Sequence, residues 1–122
     1  MGTTETIKFF KNNNFLELQD IINSSHALNH RVIDRTIVCN DKIIMVMVAY
    51  ETTPSIMKVK EKVKIFRNDN TSNLEYHIKE WQERENKKEW FKIIARSMAI
   101  NDSFNTIVMI SYQVKAKKSG KQ

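Results

Sequence analysis

Arg35 and Arg96 are the side chains in this sequence best suited to grip an anion. Each lies in an apolar stretch, Ile33-Asp34-Arg35-Thr36-Ile37 and Ile94-Ala95-Arg96-Ser97-Met98. On simple alternation each shares a strand face with its apolar neighbours, Ile33 and Ile37 in one case, Ile94 and Met98 in the other. A cation on an apolar face needs a partner or an opening to solvent. In a functional reading the pair presents two guanidiniums to an anion, because arginine holds phosphate oxygens in a fork. In a structural reading each closes an ion pair between two halves of the chain, or marks an edge strand as a charge that discourages aggregation.

A second group combines rings and cations: Trp81, Trp90 and Phe91 with Lys87, Lys88 and Lys92. Aromatic faces beside lysines suit stacking on a nucleobase with contacts to phosphate. Trp81 follows Leu74 and Ile78 at helical spacing and reads as a core residue. Trp90 stands in a connection and is freer to meet a ligand. The candidate ligand-binding residues are therefore Arg35, Arg96, Trp81, Lys88, Trp90, Phe91 and Lys92.

Other chemistry is weaker. His26 and His30 are four apart and could share a helix face toward a metal, but no third ligand is evident. No metal or cofactor is expected. The lone Cys39 lies in an apolar run and reads as an inert thiol. Two glycines leave no room for a glycine-rich phosphate loop. Asp34 is replaced by Ala95 in a second copy of its surroundings, which argues against a shared catalytic carboxylate. The expected protein is not an enzyme.

That second copy is part of a repeat, which fixes the architecture. Ile7-Lys8-Phe9-Phe10-Lys11-Asn12 corresponds to Val63-Lys64-Ile65-Phe66-Arg67-Asn68, at an offset of 56. The segment from Val32 to Asp41 corresponds to that from Ile93 to Asp102 at an offset of 61. Val46-Met47-Val48-Ala49-Tyr50 corresponds to Val108-Met109-Ile110-Ser111-Tyr112 at an offset of 62. The offset changes only between blocks, as insertions in connections would make it. Each copy reads as β-α-β-β. Strands are expected at 7–11, 32–39 and 43–51, then at 63–67, 91–100 and 106–114. Asn14 with Glu17, and Ser72 with Glu75, fit helix starts. Asn40-Asp41 and Asn101-Asp102-Ser103 fit turns.

The fold class expected is α+β, with two β-α-β-β repeats about a pseudo-two-fold axis. The domain organisation is 1–52 for the first repeat, 53–62 for a linker, 63–114 for the second repeat and 115–122 for a disordered basic tail. The strands do not alternate as half-wet strands should. Ile43 to Val48 and Ile107 to Ile110 are apolar without a break, so the sheets are expected to be apolar on both faces. A helix covers one face only, so a homo-oligomer is expected to cover others.

Composition narrows the partners. Hydrophobic residues at 41% and charged residues at 28% are ordinary for a globular protein. The net charge of +6 is uneven: residues 1–60 hold seven Lys/Arg against six Asp/Glu, and residues 61–122 hold thirteen against eight. Lys115, Lys117, Lys118 and Lys121 account for much of the excess, so the body is only mildly basic. No apolar run approaches the roughly 20 residues that span a bilayer, and no segment has the makeup of a signal peptide. The expected location is the cytoplasm, with no membrane partner.

Residues 63–114 resemble a small sporulation protein family of Bacillus and its relatives, whose single units of about sixty residues also occur in phage genomes. The resemblance rests on Val63-Lys64-Ile65-Phe66, on Leu74-Glu75 with Ile78 and Trp81, on Met98-Ala99-Ile100 and on Ile107-Val108-Met109-Ile110-Ser111-Tyr112. Residues 7–52 are a more diverged match. This chain departs from the family in carrying two copies and a basic tail. The resemblance implies no catalytic residues.

Three functional expectations follow. The first is a non-enzymatic protein that binds a small anionic ligand such as a nucleotide, in its concrete form a phage or prophage sponge for a nucleotide immune signal. The second is a structural or interaction protein of sporulating bacteria. The third is nucleic-acid binding through the basic C-terminal half.

Overall fold

The computed structural model describes residues 5–28, 31–51, 59–88 and 90–115. His30, the Thr52-Thr53-Pro54-Ser55 segment and residues 116–122 of the expected tail lie outside them. The order β-α-β-β runs twice: β1 (Glu5–Asn12), α1 (Phe15–Leu28), β2 (Val32–Cys39), β3 (Ile44–Glu51), then β4 (Val59–Asn68), α2 (Thr71–Asn86), β5 (Phe91–Ile100), β6 (Thr106–Lys115). Each run closes one antiparallel sheet with its last strand in the centre, β1-β3-β2 and β4-β6-β5. The class is α+β, with two helices and two three-stranded antiparallel sheets.

Local chemistry sets the boundaries. Asn14 caps α1 by accepting from the Leu16 and Glu17 amides at 2.9 and 3.0 Å. At α2 the cap is Asn70, which accepts from the Asn73 amide at 3.0 Å, and not the expected Ser72. The offset of 56 carries Asn14 to Asn70, so the repeat itself points to this cap. It also relates two further bonds: Asn12 accepts from the Asn14 amide, and Asn68 from the Asn70 amide. α1 runs through the serine pair Ser24-Ser25 to Leu28. β4 starts at Val59, inside the segment expected to be a linker.

Both second strands carry an irregularity that simple alternation misses. Register shifts between Val32 and Asp34, and again between Ile93 and Ala95. One extra residue, Ile33 or Ile94, is inserted there. Arg35 therefore lies opposite Val48 and Arg96 opposite Ile110. Arg35 shares its face with Ile37, and Arg96 with Met98, as alternation expects; Ile33 and Ile94 drop out of that pattern.

Two cores result. The larger joins both halves: Leu18 and Ile22 of α1, Val46, Val48 and Tyr50 of β3, Val63 and Ile65 of β4, and Ile107 and Met109 of β6. The smaller lies beneath α2 and gathers Leu74, Trp81, Phe66, Ile110 and Tyr112. β6 thus sends Ile107 and Met109 into one core and Ile110 and Tyr112 into the other. The edge of β4 is closed by α1. The Asn23 side chain accepts from the Val63 amide at 2.7 Å and donates to the Val63 carbonyl at 3.1 Å, and Gln19 accepts from the Ile65 amide at 2.8 Å. Side-chain amides here take the part of a neighbouring strand.

The β5–β6 turn holds the chain's one non-glycine residue of positive φ among those described, Phe104 at 62°. Its ring is 79% exposed, so no packing compensates the backbone. A bulky residue in the left-handed region costs about 1 kcal/mol, which asparagine tolerates far better. Phe104→Asn is expected to raise stability by about that amount. A higher urea midpoint at unchanged slope would show it; a lower midpoint would mean that the ring packs against the protein.

Candidate functional site

The seam between the halves contains a buried polar network. Arg35 donates from Nε to Glu61 Oε2 at 3.0 Å and from Nη2 to Glu61 Oε1, with the side chains 15% and 7% exposed. The pair joins β2 of the first half to β4 of the second. The Tyr50 hydroxyl donates to Ser25 Oγ at 3.0 Å and stands 2.6 Å from His26 Nδ1. His26 Nε2 looks toward Glu61 Oε2 at 3.9 Å, too far for a hydrogen bond.

Burial governs the protonation of these groups. Desolvation, with the Arg35 charge beside it, lowers the His26 pKa to about 4, so the ring is neutral at pH 7. Desolvation pushes the Glu61 carboxyl up, while the Arg35 guanidinium and the Ser111 hydroxyl pull it back. Burial likewise raises the Tyr50 phenol, which stays protonated. The network resembles a catalytic array in its residue types. Tyr50 and His26 are only 1% and 4% exposed, and among the described residues Glu61 alone of the paired groups borders a cavity.

Beside the seam the surface is open. A cleft of about 330 Å³ lies between α1 and the strand ends, lined by Asn23, Ala27, Lys60, Glu61, Lys62 and Lys115. Strand alternation separates the charges. Glu61 turns inward to Arg35, while Lys60 and Lys62 lie exposed on the other face, about 7 Å apart along β4. Among the described residues neither lysine is paired with a carboxylate. The row continues to Lys64, which with Arg67 from the opposite face of β4 lines a second groove of about 250 Å³ between α1 and α2.

The residues expected from sequence do not gather in one place. Arg35 is held in the seam. Arg96 is exposed on the α2 side of the second sheet. Trp81 is buried, with edge-to-face contacts to Phe66, Phe91 and Tyr112 at centroid distances of 5.6, 5.4 and 5.1 Å. Phe91 packs against the same cluster. Lys88 bonds Glu85 at 3.0 Å. Trp90 is 39% exposed and Lys92 is exposed on the face of β5 opposite Arg96, an effect of the register shift at Ile94. His26, half of the expected histidine pair, is committed to Tyr50. Among the described residues no three His, Cys, Asp or Glu gather in a way that would hold a metal ion.

Sequence reasoning missed Lys60, Glu61 and Lys62, which it assigned to a linker. The signal was weak: polar and apolar residues alternate only from Lys62 to Ile65, and Lys60-Glu61-Lys62 is a charged run that breaks the pattern.

The chain is thus a small α+β protein with a polar seam and a basic cleft beside it. No protein-family model, no curated protein and no solved structure matches it. No helix among the described residues is long and apolar enough to cross a membrane.

Proposed function

We propose that this protein is a non-enzymatic binder of a small phosphorylated ligand of nucleotide size, seated in the cleft beside the seam. The observation that carries this reading is Lys60 with Lys62: two unpaired ammonium groups on one strand face, at the rim of a cavity of about 330 Å³. That volume lies at the small end of the range for ligand pockets. Asn23 and Ala27 of α1 supply the opposite wall, so the ligand would touch both halves. A phage or prophage sponge for a nucleotide immune signal is the concrete form of the proposal. The symmetric form, two units about a pseudo-two-fold axis presenting Arg35 and Arg96 together, draws no support from the packing, since one arginine is paired and buried and the other exposed.

A thermal-shift panel of mono-, di- and cyclic nucleotides tests the proposal. A binder at 100 times its dissociation constant adds about 2.7 kcal/mol of stability. Lys62→Glu, which removes one charge-assisted contact and adds a repelling charge, should weaken that binder by roughly tenfold or more. A panel without any stabilising member overturns the reading.

The row of Lys60, Lys62 and Lys64 favours a second reading, single-stranded nucleic acid laid along β4. It predicts affinity that falls steeply with salt, at a slope of about −0.7 per phosphate neutralised. A nucleotide in the cleft neutralises only a few charges and would show a shallow slope.

A further inference from the structure

The two halves meet through unlike surfaces. The first half contributes its helix-bearing side: α1, the face of β3 with Val46 and Val48, and Arg35 with Ile37 from β2. The second half contributes the helix-free back of its sheet: Glu61, Val63 and Ile65 of β4 with Ile107 and Met109 of β6. A helix side is laid on a sheet back, a head-to-tail contact.

The repeat names the counterparts of that contact: Leu74, Ile110 and Tyr112 are already buried beneath α2, but those on β1 and β5 are bare. The back of the first sheet carries Glu5, Ile7 and Phe9, which correspond to Glu61, Val63 and Ile65 at the offset of 56. Val63 and Ile65 are each 1% exposed, whereas Ile7 and Phe9 are 50% and 66% exposed. The helix side of the second half carries Arg96 and Met98, which correspond to Arg35 and Ile37 at the offset of 61. Ile37 is 7% exposed, whereas Met98 is 63% exposed. Ile100, on the same face as Met98, is 56% exposed. One chain therefore has exposed apolar residues on β5, on the helix side of its second half, and on β1, on the sheet back of its first half, and both correspond to residues already joined inside the molecule.

Charge and edge chemistry agree with that pairing. Arg35 and Glu61 are bonded within the chain, and their counterparts Arg96 and Glu5 are both exposed and of opposite sign. Asn23 and Gln19 close the β4 edge from α1; their counterparts on α2 are Lys79 and Glu75, both exposed. Glu75 can accept from the Phe9 amide and Lys79 can donate to the Ile7 carbonyl on the free edge of β1.

We propose that the helix side of the second half docks on the sheet back of the first half of another copy, repeating the internal seam between chains, with Arg96 of one copy bonded to Glu5 of the next. The contact is heterologous, so copies add in one direction and form a closed ring or an open filament according to the rotation at each step. Burial of Ile7, Phe9, Met98 and Ile100 drives it, and the Arg96–Glu5 pair sets its register.

The test is native mass spectrometry and sedimentation of the full chain over a wide concentration range, without added ligand. Association is expected, as a closed ring of fixed mass or a mass that grows with concentration. Arg96→Glu and Glu5→Arg are each expected to weaken it about tenfold or more, because like charges then face each other. The two substitutions in one chain are expected to restore it. Phe9→Asp should abolish association in a chain that still folds, since the ring is exposed in the single copy. A chain that is monomeric at every concentration overturns the proposal, as does association that neither charge reversal weakens.

Discussion

Arg35→Ala is expected to destabilise the protein by about 3–5 kcal/mol, the cost of leaving a buried carboxylate without its partner. The Glu61 carboxylate sits 7% exposed in the seam, with both oxygens engaged by Arg35. Its next neighbours are the neutral His26 ring and the fully buried Ser111, neither of which supplies a compensating charge. A small domain has only about 5–15 kcal/mol of total stability, so the variant should unfold at a far lower urea concentration. Replacing both partners, Arg35→Met with Glu61→Leu, removes the desolvation cost along with the attraction and should leave stability close to that of the native chain. Urea unfolding of the three chains distinguishes the cases. If Arg35→Ala costs under about 1 kcal/mol, the pair behaves like an exposed one and the seam is open to water.

Acidification should unfold the protein through His26. The ring titrates near 6.5 when unfolded and about 4 when folded. Between those values the unfolded chain binds a proton that the folded chain rejects, so each proton taken up favours unfolding. The contribution is complete above pH 6.5, falls as pH drops toward 4 and amounts to about 3 kcal/mol over the window. Glu61 acts in the opposite sense. Its raised pKa means that the folded state binds the extra proton just above pH 4.5, which offsets part of the loss there. His26→Asn keeps a hydrogen-bonding partner for Tyr50 but cannot titrate. Its urea midpoints between pH 4 and 7 should fall less than those of the native chain, and identical pH profiles would mean that His26 takes no part.

Much of the fold was legible because its signals are local. The span of β2, 32–39, and that of β5, 91–100, follow from apolar runs bounded by turn formers. The Asn14 cap and the Asn40 turn, in which Asn40 Oδ1 accepts from the Lys42 and Ile43 amides, follow from side-chain oxygens acting two or three residues away. The register shifts at Ile33 and Ile94 were not legible, since isoleucine gives no sign of a bulge. Glu61 was missed because its role depends on Arg35, 26 residues earlier. The core position of Trp81 was legible from its spacing after Leu74 and Ile78, but its partners were not: Phe91 and Tyr112 reach it from other elements, β5 and β6.

The sequence by itself determined two β-α-β-β runs, the Asn14 cap, the turns, and which residues correspond between the runs. These depend on periodicity and on hydrogen bonds that reach a few residues. Only the tertiary structure decided that corresponding residues live in different surroundings. Arg35 is paired and buried while Arg96 is exposed, and Val63 is buried while Ile7 is half-exposed. A repeat makes the two surfaces alike in chemistry. Joining unlike sides of the two halves covers one member of each pair and leaves the other bare.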